Sequence, residues 1–121
     1  MNTKNKLSLL IPILALILFA FTSLPASAEI TFATNGIVYS PSVVLLYNSQ
    51  GQPALMSFAI QEIGSTQITT IYCHRPYLSA CTFVDSSTIG KKLHVTGVME
   101  YSTWLPGWQP YAQSTGLVLA P

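Results

Sequence analysis

From residue 30 onward the chain is built of short runs rich in Val, Ile, Thr, Tyr and Phe, broken by Gly or Pro about every 8 to 15 residues. Branched and aromatic side chains suit a pleated, half-buried surface. No stretch repeats apolar residues at helical spacing between recognisable caps. This texture predicts an all-β domain. The best strand is Lys91 to Tyr101, where Leu93, Val95, Met99 and Tyr101 share one face and Lys92, His94, Thr96 and Glu100 the other. Gly97 stands in its middle, where a bulge or a close backbone approach is expected. In Ala54 to Gln61, Met56, Phe58 and Ile60 alternate with Leu55, Ser57, Ala59 and Gln61.

The remaining elements follow from the punctuation. Ile30 to Thr34, Ile37 to Tyr39 and Val43 to Tyr47 read as one long first strand, with Pro41 marking a bulge or an edge. Asn48 to Gly51 is a turn. Glu62 to Ser65 turns Ala54–Gln61 into a hairpin with Gln67 to Cys73. Ala80 to Val84 is a short strand or an irregular packed segment, and Asp85 to Gly90 is turn-like. Thr103 to Ser114 reads as a Trp-Pro-Gly loop, and Gly116 to Ala120 as the last strand.

The first 28 residues are different. They hold 17 apolar residues and two of the five basic ones. Lys4 and Lys6 precede an apolar run from Leu7 to Phe21, and Ala26-Ser27-Ala28 follows. This is the order of a secretory signal peptide, with the cut expected between Ala28 and Glu29. The run falls short of the roughly 20 residues that span a bilayer, which argues against an uncleaved anchor. The expectation is a signal peptide over 1–28 and one domain over 29–121, periplasmic or secreted, with no membrane span after cleavage. From residue 29 on, Arg75, Lys91 and Lys92 face Glu29, Glu62, Asp85 and Glu100, a net charge of −1. A polyanion surface works by counterion release from a basic patch, so the charge disfavours nucleic acid.

The two cysteines, Cys73 and Cys81, are expected to form a structural disulfide in an oxidising compartment. The redox alternative lacks the C-x-x-C spacing. A metal site drawing on Cys73, His74, Cys81 and His94 fits no familiar ligand spacing. Neither a metal nor an organic cofactor is expected. Asp85-Ser86-Ser87 lacks a nucleophile-elbow context and reads as a turn, and the carboxylates form no evident catalytic pair. An enzyme is therefore not expected.

The order of "MSFAIQEIGSTQITTIYC", "TIGKKLHVTGVMEYS" and "YAQSTGLVLA" resembles an OB-fold domain of the tRNA-anticodon-binding type. Phe58, Ile60, Gly64, Ile68, Ile71, Gly90, Leu93, Val95, Gly97 and Val98 carry the resemblance. It implies a small five-stranded Greek-key barrel and raises oligonucleotide binding as an alternative function. In two respects the chain departs from that family. The helix usual between strands three and four reads as weak or missing in Tyr77 to Thr88, and the second and third strands lack the expected basic and stacking residues.

Two segments are candidates for ligand contact. Trp104, Trp108, Gln109 and Tyr111 cluster between strands four and five, where OB barrels carry a loop beside their ligand face. Either these rings point outward as stacking platforms, or the tryptophans fold inward to cap the barrel. Arg75 and Tyr77 sit on the loop closed by Cys73 and Cys81, as a cation and ring for a ligand or as a solvated loop. The leading expectation is a non-catalytic exported module that binds a glycan, an envelope component or a protein partner. A structural or stress-related envelope protein without a small ligand is the remaining alternative.

Overall fold

A computed structural model describes residues 29–102 and 104–118. The expected signal peptide and its cleavage site lie outside, or at the edge of, these residues. Five strands close into a barrel in the order β1-β2-β3-β5-β4: β1 Ile30–Tyr47, β2 Pro53–Glu62, β3 Ile68–His74, β4 Lys92–Tyr101 and β5 Trp108–Leu117. This is the Greek-key barrel expected from the sequence. β1 is long enough to pair with β4 through its first half and with β2 through its second. Its register with β2 shifts between Val38 and Ser40 and again between Ser40 and Val43, around Pro41. A strand that serves two neighbours must coil strongly, and bulges supply the coil.

The interior follows the period of two. Val38, Met56, Phe58, Ile60, Ile71, Cys73, Leu93, Val95 and Ala112 meet in one buried cluster. Gly64 takes φ +78° in the β2–β3 hairpin, a value an L side chain resists. Gly97 has a different task. A Cβ there would overlap the Tyr111 carbonyl, so β4 and β5 approach closely because residue 97 has no side chain. The bulge expected at Gly97 falls opposite it: Thr96 pairs with Ser114 but Gly97 with Ala112, which leaves the extra residue in β5.

Two expectations are corrected. A helix is present between β3 and β4: α1, Leu78–Thr82, followed by a 3-10 turn at Ser86–Thr88. At five residues α1 is too short to show a period, and it has no side-chain N-cap. Its position comes from tertiary contacts. Ala80 and Cys81 enter the core, Cys81 is bonded to Cys73, Thr115 Oγ1 donates to the Ala80 carbonyl, and Ser42 Oγ donates to that of Cys81. The second correction concerns the final strand. It begins at Trp108 and ends at Leu117, so more than half of the expected Trp-Pro-Gly loop is strand.

Candidate functional site

The β4–β5 hairpin and the end of β3 build the site. His74 ends β3, Glu100 lies near the end of β4, and Ser102 and Trp104 follow in the loop. With Ala54 and Arg75 they line a cleft of about 310 Å³. Trp104 is 49% exposed and Trp108 56%. Neither ring is buried. Trp108 opens β5 opposite Tyr101, and the two rings meet edge to face with centroids 5.8 Å apart. Tyr101, 65% exposed, extends the aromatic surface.

His74 is the polar pivot of the cleft. Its Nε2 lies 2.7 Å from Glu100 Oε1 and its Nδ1 lies 2.8 Å from the Arg75 carbonyl. Neither acceptor oxygen supplies a proton, so only the doubly protonated ring donates to both. Burial of the ring opposes the charge. The Glu100 hydrogen bond, the Arg75 carbonyl and the Glu100 charge outweigh it, and the pKa is raised above the ordinary histidine value. With His74 and Glu100 paired, Arg75 supplies the one uncompensated charge among the cleft residues. Arg75 is exposed, and its guanidinium donates to Gln52 Oε1 at 3.4 Å, linking the β1–β2 turn to the loop after β3.

Tyr111 is not a ligand contact. It is 1% exposed, on the outer face of β5, packed with Leu55, Val98, Tyr72 and Leu105. Strand alternation turns Ala112 into the barrel and Tyr111 out of it, and Leu105 from the loop covers the ring. The His74 ring rests on it with centroids 4.8 Å apart. The Tyr111 hydroxyl is buried beside the Ser102 side chain, out of good hydrogen-bond geometry, and burial raises its pKa against the lowering influence of Ser102. Gln109 donates from Nε2 to the Pro106 carbonyl at 2.9 Å and so fixes the loop. Tyr77 stands at the start of α1, 39% exposed, and is not among the residues lining the cleft.

The structure thus brings Arg75 and Trp104 together and sets Trp108 beside Tyr101. His74, Glu100 and Ser102 went unrecognised as site residues. Glu100 sits on the polar face of the best strand, but only the closure of β3 against β5 brings His74 to it. Elsewhere, Asp85, Ser86 and Ser87 form the turn expected of them, with Asp85 Oδ1 accepting from the Ser87 N–H at 2.9 Å. His94 bonds across strands to Asn35 Oδ1 at 2.7 Å. Among the described residues no helix is long and apolar enough to cross a membrane.

No protein-family model matches the sequence. A search of curated proteins likewise returns no match. Solved structures do match in fold. The second single-stranded DNA-binding protein of Mycobacterium smegmatis aligns with a TM-score of 0.54 at 17% identity, over 78% of this chain and 97% of that one. The small single-stranded DNA-binding protein of Streptomyces coelicolor aligns at 0.50 and 19%, over 79% and 99%. The N-terminal domain of PriB from Thermoanaerobacter tencongensis aligns at 0.50 and 12%, over 74% and 97%. At these identities the likeness concerns the fold. The chain carries an OB-type barrel.

Proposed function

We propose that this protein is a non-catalytic binding module that takes a single-stranded oligonucleotide by stacking on Trp104, Trp108 and Tyr101. The observation that carries this reading is the exposure of both tryptophans, Trp104 lining a cleft with one net positive charge. Base–aromatic stacking is worth about 1–3 kcal/mol per base and tolerates any sequence. The fold shared with single-stranded DNA-binding proteins supports the reading. Charge steering plays a small part. With Arg75 as the one uncompensated cation among the cleft residues, a single phosphate is neutralised there. The log–log salt slope is then about −0.7.

A second reading is favoured by the net charge of −1 over residues 29–121. The same rings would then stack on a glycan, or on an apolar side chain of a protein partner in the cell envelope. The order of residues 1–28 supports export to a periplasm or to the exterior, where such ligands occur. Titrating intrinsic Trp fluorescence with single-stranded DNA, envelope glycans and peptides at low and high salt separates the two. The oligonucleotide reading expects quenching by DNA with a shallow salt slope. A response confined to glycan or peptide transfers the site to the second reading, and no response to any of them overturns both.

A further inference from the structure

The two ends of the barrel are closed differently. α1 plugs one end through Ala80 and Cys81. The opposite end opens as a second cleft of about 330 Å³, beside the β2–β3 hairpin. Its floor is Ile60 and Ile71, which are 0% and 1% exposed, and Phe32 and Met99 form walls. A concave apolar site of this size falls at the small end of the range that takes organic ligands, and the mouths of β-barrels are a common place for them.

The polar groups at the rim narrow the ligand class. Glu62, the one charged residue lining this cleft, fixes Oε2 by accepting from Thr69 Oγ1 at 2.7 Å. Among the described residues no Lys, Arg or His comes within 4.0 Å of its carboxylate, and Oε1 accepts no side-chain hydrogen bond. An oriented carboxylate beside an apolar floor complements an ammonium group attached to an apolar body. It repels a carboxylate or phosphate of the same shape.

We propose that this mouth binds a small organic amine, its apolar body on Ile60 and Ile71 and its ammonium donating to Glu62. The site is separate from the aromatic cleft and does not depend on the oligonucleotide reading.

Three isosteric probes test it: tryptamine, the neutral alcohol tryptophol and the anion indole-3-acetate, followed by methyl NMR of the purified protein. Tryptamine is expected to shift the Ile60, Ile71 and Met99 methyl signals, leaving the indole N–H signal of Trp104 in place. It should bind about tenfold more tightly than tryptophol, the gain expected of one charge-assisted hydrogen bond. The acetate should not bind. Glu62→Gln should bring tryptamine down to the tryptophol level. Thr34→Trp, at the lip of the mouth, should block both while leaving titrations at the aromatic cleft unchanged. Absence of methyl shifts with tryptamine would overturn the proposal. So would equal affinity for the three probes, or an amine preference that survives Glu62→Gln.

Discussion

The β4–β5 hairpin carries two aromatic regions that behave oppositely. At its middle, Tyr111 is buried against Val98, Leu55 and Tyr72, over the point where Gly97 lets the strands close. At its tip, Trp104 and Trp108 stand half-exposed with Tyr101 beside them. Both regions use large rings from one short stretch of sequence. One is covered by Leu105, and the other is left about half open to solvent. The lesson is that ring type does not separate structure from function here; cover does. Changes in the buried seam should cost stability, whereas changes at the tip should cost binding.

The largest expected effect breaks the seam. Gly97→Ala places a methyl group against the Tyr111 carbonyl, a backbone atom that cannot swing away. A loss of about 3 kcal/mol or more is expected, seen as a lower denaturation midpoint at unchanged slope. A midpoint within error of the parent would show that the strands have room to part. Next comes the disulfide. It spans eight residues and holds α1 against β3. Replacing both Cys73 and Cys81 by Ala should remove about 2.5 kcal/mol, the chain-entropy value for so short a loop. The Trp emission spectrum of the folded state should not move. A shifted spectrum would mean that the plugged end and the tip are coupled.

Tyr111→Phe sharpens the contrast further. The hydroxyl it removes is buried, with only the Ser102 side chain near it and no well-formed hydrogen bond. Its loss should change stability by no more than about 1 kcal/mol, with ligand affinity unchanged. Weakened binding on loss of this hydroxyl would return Tyr111 to the site.

The smallest effect comes from His74, which bridges the regions by resting on Tyr111 and lining the cleft. Its folded-state pKa is raised from 6.5, so the folded protein binds its proton more tightly than the unfolded chain does. The stability from the pair with Glu100 is complete below pH 6.5 and lost as pH climbs through the raised value. Thermal melts from pH 6 upward should record the decline, and Glu100→Gln should flatten it. A pH dependence that survives Glu100→Gln would assign it to another group.

How much of this was legible in the sequence depends on the range of the interactions. The barrel was legible because alternation and Gly or Pro punctuation are local signals. Gly97 stood out as a glycine inside a strand. α1 was not legible: its five residues are held by Cys73, Thr115 and Ser42, all distant in sequence or turned inward. Trp104 and Trp108 were legible as a cluster, but not their exposure. The burial of Tyr111 is not legible because the Pro- and Gly-rich run up to Ser114 has the composition of a loop, whereas strand β5 already begins at Trp108. The His74–Glu100 pair depends on the β3–β5 closure, recorded by the parallel pairing of Tyr72 with Tyr111, and no local pattern announces it.

The central claim is that the exposed tip binds and the seam only supports it. The most direct test compares the parent protein with Trp104→Ala/Trp108→Ala in direct binding to a fluorophore-labelled single-stranded DNA, alongside the denaturation midpoint of each. The expected result is a loss of about 1–3 kcal/mol of binding free energy per tryptophan with stability held within about 0.5 kcal/mol. Full affinity retained by the double variant, or a fall in stability that accounts for the lost binding, would contradict it.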